Sequence, residues 1–332
     1  MNERISQIYF LGEDDFLPAM EKDICPFLEE HTRRGQLTSF DNTRLNYYVI
    51  TPDSPIASLT FVHGMAEFFG KYHEYIYYLV RAGYKVFFME QRCHGYSEGK
   101  VEEHDLVYVD RYDTYVEDLR RFADEVVTPG SVGLKKLIFA HSMGGAVSAL
   151  FLEEYPDYYD AALLSSPMFK MKSDNFSPLS VFGLSVYSAL SGKKKKLSPG
   201  QKHFNPDVKL EDGSAKSRPR FEYQLNMRRG DKHYQTSSAS LGWAVASLRA
   251  TRKLIKNAGR IKLPINIMTA GEDHLISPEG YKEFAKRVPQ AVFHDYPDSR
   301  HEIFNALEKT RKQYFIDVFS ILDDYVSAES TK

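Results

Sequence analysis

One serine of this chain stands where a sharp turn joins an apolar run to a helix-forming run. Ser142 lies in the sequence Ala-His-Ser-Met-Gly-Gly, residues 140–145. Residues 136–139 before it are typical of a buried strand, and residues 146–152 after it are rich in helix formers. A serine on such a turn projects its hydroxyl clear of the sheet, and small flanking residues let strand and helix pass close together. Ala140 takes the place of the first glycine of G-x-S-x-G, where one methyl group can be accommodated.

A serine hydroxyl is a weak nucleophile at neutral pH, so it needs a histidine base and a carboxylate that orients the base. Asp273 follows the apolar strand-like run at residues 264–269, at its carboxyl end. His301 lies in the loop after the next strand, directly before the final predicted helix. The order serine, acid, histidine is the one used with this type of elbow. The sequence predicts Ser142, Asp273 and His301 as catalytic residues, with Glu272 as the alternative acid.

Three other histidines lie near these elements. His294 falls within a predicted strand, and His274 adjoins the acid too closely in sequence to accept its hydrogen bond in the usual geometry. His141 lies inside the elbow and is expected to point away from the hydroxyl. His301 is therefore the histidine predicted to act as the base.

The negative oxygen of a tetrahedral intermediate needs hydrogen-bond donors, one of which is the amide of the residue after the nucleophile. That residue is Met143. The second donor is expected from the loop after the third strand, residues 63–67, where Gly64 lets the backbone come close to a substrate. The backbone N–H groups of Met65 and Met143 are the predicted oxyanion donors.

The rest of the pattern describes the elements that must position these residues. Residues 14–30 predict a helix outside the sheet, and three strand-like runs at 36–40, 44–50 and 57–62 predict an antiparallel meander. From residue 72 to residue 166 helices and strands alternate, which predicts parallel strands joined by right-handed helical crossovers. The expected architecture is an α/β fold with a mostly parallel, doubly wound sheet and antiparallel N-terminal strands.

The alternation stops after Ser166 and resumes near residue 237. We expect residues 1–166 and 236–332 to form the core and residues 167–235 to form an inserted lid. The aromatic residues of this segment favour a folded lid over a linker. Phe176, Phe182 and Tyr187 are candidates for contact with a substrate.

The chain resembles a known group, the monoacylglycerol lipases and bacterial lysophospholipases of the α/β-hydrolase fold. The motifs that carry the resemblance are His63–Glu67, Gln91–Gly99, Ala140–Gly145 and Ser299–Ile303. The likeness runs from about Gln36 to the last helix and weakens in residues 167–235. It implies the Ser142–Asp273–His301 triad, ester substrates with one acyl chain, and no cofactor. Gln91 and Cys93 depart from the aspartate and glycine usual in the group, which affects the shape of that loop.

Composition excludes several other classes. The net charge of -2 over 332 residues offers no footprint for nucleic acid. Cys25 and Cys93 form neither a disulfide framework nor a metal-type spacing. His73-Glu74 lacks a second histidine at the spacing of zinc proteases, so no metal site is expected. The first residues carry no apolar signal segment and no run is long enough to span a bilayer, which predicts a soluble, cytoplasmic protein. The oligomeric state cannot be predicted. Residues 193–196 are four lysines that fit either transient contact with a membrane surface or a solvated loop.

The same candidate residues are also compatible with other functions. An aminopeptidase that releases N-terminal proline would use the same three residues, with acidic side chains gripping the substrate's amino group. Glu211, Asp212 and Glu222 in the predicted lid are available for that role. A general short-chain carboxylesterase and a non-catalytic binding protein with the same fold are further alternatives.

Overall fold

The computed structural model describes residues 8–174 and 176–328. Its strands are β1 (Thr32–Thr38), β2 (Arg44–Ile50), β3 (Ala57–Val62), β4 (Tyr84–Met89), β5 (Leu106–Val107), β6 (Lys136–His141), β7 (Ala161–Ser165), β8 (Ser238–Ala239), β9 (Ile265–Ala270) and β10 (Val292–Tyr296). Its α-helices are α1 (Phe16–Ala19), α2 (Cys25–His31), α3 (His73–Arg81), α4 (Asp113–Phe122), α5 (Thr128–Gly130), α6 (Met143–Glu154), α7 (Pro178–Leu190), α8 (Arg218–Gly230), α9 (Leu241–Asn257), α10 (Pro278–Ala285) and α11 (Glu308–Ser327). None of the described helices is both long and apolar enough to cross a membrane.

The mostly parallel sheet predicted from the sequence is confirmed. Its eight strands lie in the order β1-β2-β4-β3-β6-β7-β9-β10, and every pair from β4 onward is parallel. Strands β1 and β2 are antiparallel, with Thr32 opposite Ile50 and Thr38 opposite Arg44. Strands β5 and β8 form a separate short parallel pair.

The predicted N-terminal meander is wrong at its third strand. Strand β4 lies between β2 and β3, so β2 pairs antiparallel with β4, and β3 pairs parallel with β4 and β6. Every residue of β3 is buried, whereas β2 has partly exposed positions. A strand covered on both faces is stable at the centre of a parallel sheet, whereas a strand with one partly exposed face suits the antiparallel end of the sheet.

The core has two apolar layers because successive residues of a strand face opposite sides of the sheet. In β4, Val86 and Phe88 belong to the layer under α3 and α11, whereas Phe87 and Met89 belong to the layer under α4, α6 and α9. The helices therefore cover both faces, as a doubly wound sheet requires.

The last helix starts later than predicted. Residues Ile303–Asn305 form one short 3-10 turn, Ala306 and Leu307 are extended, and α11 begins only at Glu308. His301 consequently stands in an irregular loop before α11. This gives the loop freedom to turn the imidazole toward the sheet edge.

Residues 167–235 contain more regular structure than the sequence predicted. Helix α7 begins where the Ser177 hydroxyl accepts a hydrogen bond from the Ser180 amide, with Pro178 at the first helical position. Helix α7 packs on α9, and α8 packs on α1. Buried Arg220 of α8 forms ion pairs with Glu74 (2.7 Å) and Glu13 (3.2 Å). Both α7 and α8 therefore attach the segment to the rest of the molecule.

Candidate active site

Ser142 occupies a strained turn between β6 and α6. Its φ of 50° and ψ of -118° lie where residues other than glycine are rare. The Ser142 amide donates to the Ser165 carbonyl at 3.1 Å, which fixes the turn to β7. A Cβ atom on Gly144 would lie 2.3 Å and 2.5 Å from the carbonyl oxygens of Val62 and His63. Only glycine at position 144 allows the helix to start this close to β3.

Asp273 and His301 form a buried hydrogen-bonded pair. His301 Nδ1 lies 2.7 Å from Asp273 Oδ2, and the two residues are only 3% and 5% exposed. The other carboxylate oxygen accepts from the amides of Leu275 (2.8 Å) and Ile276 (3.0 Å). Burial alone would raise the pKa of Asp273, but these hydrogen bonds and the imidazole together lower it below its usual value. The carboxylate is therefore ionised, and His301 Nδ1 must be the donor.

This tautomer leaves His301 Nε2 as a hydrogen-bond acceptor. Nε2 is fully covered and has no hydrogen-bond partner among the residues that the structure describes. Ser142 and His301 both line a cavity of about 740 Å³ at the carboxyl ends of the strands. An unsatisfied acceptor beside the elbow serine is the arrangement that a general base requires.

The loop after β3 presents the amide of Met65 to the same cavity. The Gly64 amide donates to Glu67, and the Ala66 amide donates to His94 Nε2 at 3.1 Å. The Met65 amide donates to none of the described residues, and Met143 is the first residue of α6, where no acceptor exists within the helix. A Cβ on Gly64 would lie 3.0 Å from Ser142 Cβ, so this loop passes directly beside the serine.

Beneath the loop lies a buried ion cluster that the sequence analysis did not identify. Lys71 Nζ is 2.8 Å from a carboxylate oxygen of Glu67 and 2.8 Å from one of Glu302. Glu67 also lies 3.1 Å from His141 Nδ1. Burial works against each charge, but the opposite charges lower the pKa of both carboxyls and raise the pKa of Lys71. Glu67 and Glu302 stood in motifs already noted, whereas nothing in the sequence indicated Lys71.

The alternative acid and the other histidines lie elsewhere. Glu272 points to the surface, where its carboxylate is 2.7 Å from Lys216 Nζ. His294 is bonded to Asn266 at 2.6 Å, and His274 is exposed. His141 bonds through Nε2 to the His301 carbonyl at 3.4 Å, so it supports the loop that carries His301.

Of the three lid residues predicted to contact substrate, the structure brings only Phe176 to the cavity. Phe182 and Tyr187 are 63% and 51% exposed and do not line it. The helical period of α7 turns Val181 and Leu184 inward, which directs Phe182 and Tyr187 outward. The sequence analysis missed Phe221 and Leu225 of α8, which line the cavity and are separated by one helical turn.

The sheet, the strained serine and the buried acid–histidine pair together define an α/β-hydrolase. A family model described as serine aminopeptidase, S33, matches residues 53–308. The chain belongs to this family.

Relatives with assigned names support the resemblance seen in the sequence. The chain is 27% identical to the monoacylglycerol lipase of Mycolicibacterium smegmatis over 80% of its length and 89% of that protein. It is 27% identical to lysophospholipase L2 of Escherichia coli over 67% of its length and 65% of that protein. The crystal structure of the Paleococcus ferrophilus monoacylglycerol lipase has a TM-score of 0.64 at 20% identity, and the match covers 84% of this chain and 99% of that one. The structural likeness establishes the fold.

Proposed function

We propose that the chain is a serine hydrolase that cleaves carboxylic esters of monoacyl lipids. The observation that carries this proposal is the free, buried His301 Nε2, which Asp273 orients through Nδ1 and which lines the same large cavity as the elbow serine. The names of the relatives, monoacylglycerol lipase and lysophospholipase, support the substrate class.

In the proposed mechanism Ser142 Oγ attacks the ester carbonyl while His301 Nε2 takes the hydroxyl proton. Asp273 holds the imidazole tautomer and offsets its positive charge. The amides of Met65 and Met143 donate to the oxyanion. The alcohol then leaves with the proton from His301, and a water activated by the same histidine releases the fatty acid from Ser142.

We infer that residues 167–235 act as the lid and supply part of the acyl pocket. Phe176, Leu184, Phe221 and Leu225 add apolar side chains to the wall of the cavity that Ser142 and His301 also line. Each methylene group buried there contributes ~0.8 kcal/mol, which is about fourfold in affinity. Rates should therefore rise with acyl-chain length until the wall is covered.

The outer face of α7 supports contact with a lipid surface. Leu179, Phe182 and Leu190 are 78%, 63% and 83% exposed and fall on one side of the helix. The neighbouring lysines contribute less than their number suggests, because Lys194 pairs with Asp110 (3.1 Å) and Lys196 with Glu103 (3.3 Å). We propose that α7 inserts apolar side chains into an aggregated lipid substrate. A cytoplasmic location stays a prediction.

An aminopeptidase function is less well supported. Glu211 and Glu222 are exposed and lie 3.7 Å and 3.5 Å from the Arg218 guanidinium, so neither is free to grip an amino group. Asp212 lines the cavity, but it is exposed to solvent. The buried carboxylates of Glu67 and Glu302 are both bonded to Lys71, so neither is free to bind an amino group.

The test compares substrate classes on one preparation. A fluorophosphonate should label wild type and leave Ser142→Ala unlabelled. Wild type should hydrolyse nitrophenyl esters with kcat/KM rising from acetate to laurate, and it should leave aminoacyl anilides intact. Equal rates on short and long esters would favour a general esterase, anilide cleavage would favour the aminopeptidase, and absence of labelling would favour a binding protein.

A further inference from the structure

The cationic side chains that line the cavity differ in whether a carboxylate contacts them directly. Among the described lining residues the basic side chains other than histidine are Lys71 and Arg228. Lys71 is enclosed between two carboxylates. Arg228 has no carboxylate oxygen of the described residues within 4.0 Å. Of these two side chains, Arg228 is therefore the one whose charge is not compensated by direct contact with a carboxylate.

The Arg228 guanidinium is nevertheless held firmly. Nε donates to the Tyr234 carbonyl at 3.1 Å, and Nη2 donates to the Thr236 carbonyl at 2.9 Å. Its carbon lies 4.7 Å from the centre of the Phe204 ring, so one face is stacked. Nη1 donates to none of the described residues and is not among the fully covered polar atoms. Two N–H groups on Nη1 thus keep access to a ligand in a fixed direction.

The buried arginines elsewhere in the molecule show the usual solution. Arg92 pairs with Asp41 and Asp118, Arg220 with Glu13 and Glu74, and Arg311 with Glu74. A cation removed from bulk water is costly unless an anion compensates it. Burial lowers the pKa of Arg228 to about 10, although the negative charge of Glu302 opposes this, and the side chain is therefore charged at neutral pH. Glu302 acts on Arg228 only from beyond direct contact, since no carboxylate oxygen of the described residues lies within 4.0 Å, so an anion that contacts the guanidinium is best supplied from outside the chain.

The position of Arg228 fits the polar end of a monoacyl lipid. Helix α8 brings Phe221, Leu225 and Arg228 to the cavity at one-turn intervals along one face. Two apolar contacts are thus followed by a cation along the same wall. Arginine presents N–H groups in a planar fork that matches phosphate oxygens.

We propose that Arg228 binds the phosphate group of a monoacyl phospholipid and so selects such lipids over neutral monoacylglycerols. This inference rests on the proposed ester hydrolase function, because it concerns the alcohol side of the same substrate.

The test measures kcat and KM for two esters with the same decanoyl chain, a monoacyl glycerophosphoethanolamine and a monoacylglycerol, both below their micelle concentrations. Arg228→Met should lower kcat/KM for the phospholipid by roughly 10- to 100-fold, mainly through KM, the range expected for loss of a charge-assisted hydrogen bond. It should leave the monoacylglycerol unchanged, and Arg228→Lys should recover part of the loss. The matched control is Arg229→Met, since Arg229 is exposed on the same helix and its guanidinium bonds to the Pro206 carbonyl at 2.8 Å. That variant should change neither rate.

A loss of equal size on both substrates would make Arg228 a structural residue and overturn the proposal, as would an unchanged phospholipid rate. Glycerol 3-phosphate provides a readout that needs no turnover. Calorimetry should detect its binding to wild type and not to Arg228→Met. If wild type hydrolyses neither ester, the proposed function fails, and this binding measurement still decides whether Arg228 is an anion site.

Discussion

At the scale of single residues, the Asp273 carboxylate determines which imidazole nitrogen of His301 carries the proton. Its two oxygens accept from the imidazole and from two amides, so it stays ionised while buried. A buried carboxylate that is held in place stabilises the imidazolium as it forms, without taking the proton itself. The geometry therefore favours Asp273 over Glu272 as the proposed catalytic acid, because Glu272 lies at the surface beside Lys216.

Ser142→Ala should remove essentially all ester hydrolysis. Members of a catalytic triad act as a unit, so we expect kcat to fall by ~10⁴–10⁶-fold, and His301→Ala should be about as damaging. The measurement is hydrolysis of one nitrophenyl ester alongside a thermal unfolding curve of each variant. A folded Ser142→Ala protein that keeps a tenth of the wild-type turnover would be incompatible with the proposed nucleophile.

Asp273→Asn should be severe and Glu272→Gln mild. An amide can neither hold the same imidazole tautomer nor offset its charge, and the loss can reach ~10⁴-fold in kcat. Glu272→Gln is the matched control, because it removes the adjacent carboxylate and affects only the surface contact with Lys216. If Glu272→Gln were the inactive variant, the acid would be misassigned by one residue.

The three candidate catalytic residues could be predicted because each follows a recognisable apolar strand and parallel strands end at one edge of the sheet. Lys71 could not be predicted, since its partner Glu302 lies 231 residues away and no local pattern indicates the contact. Arg228 was hidden for a related reason. It stands beside Arg229, and only the structure shows which of the two faces the cavity.

At the scale of elements, helix α6 shows how the elbow is supported. Eleven of its twelve residues are buried, so it is covered on nearly all sides. Glu153, near its C-terminal end, is the ionisable side chain among these buried residues. It is 6% exposed, and one of its carboxyl oxygens has no hydrogen-bond partner among the described residues. Burial raises the pKa of Glu153 to about 8, although the charges of Lys253 and Arg260 oppose this.

Glu153→Gln should stabilise the protein at alkaline pH. Because the folded-state pKa is raised, the neutral form contributes stability that is complete below the ordinary pKa near 4.5 and is lost as pH rises through about 8. Glutamine stays neutral, so above pH 8 the variant should gain up to ~4 kcal/mol relative to wild type. Urea unfolding from pH 5 to pH 9 measures this gain. Glu154→Gln, at the exposed neighbouring position, should give no pH-dependent difference. A constant difference across the range would rule out titration of Glu153.

Element types were predictable where apolar runs were long, as in β3, β6 and β7. The neighbours of β3 could not be predicted, because β4, which comes later in the chain, is inserted between β2 and β3. Helix α8 was missed since its sequence is largely polar and its apolar period is weak. It is stabilised instead by the buried contact between Arg220 and Glu74, which no local pattern reveals.

At the scale of the whole molecule, residues 167–235 are attached unevenly. The part near His301 is tied down, since Arg300 Nη1 donates to the carbonyls of Leu210 (2.8 Å) and Gly213 (3.2 Å). The Lys216 ammonium also bonds to the Asp298 carbonyl at 2.8 Å. Helix α7 contributes buried Val181 on one side and a stripe of exposed apolar residues on the other. A segment that is fixed near His301 and apolar on its outer face is suited to the proposed contact with lipid.

Replacing Leu179, Phe182 and Leu190 together by serine should weaken binding to phospholipid vesicles by roughly 10- to 100-fold, because burial of these side chains supplies the attraction. Hydrolysis of a monomeric short ester should stay at the wild-type rate, since none of the three lines the cavity. Vesicle co-sedimentation measures the binding, and hydrolysis of a vesicle-embedded monoacyl lipid measures its consequence. Val132→Ser is the control, because Val132 is 85% exposed but lies outside the segment.

The lysine pairs make the attraction mainly apolar, so neutral and anionic vesicles should bind similarly at physiological salt. Binding that required anionic lipid and survived the triple substitution would assign the contact to residues 193–196 instead.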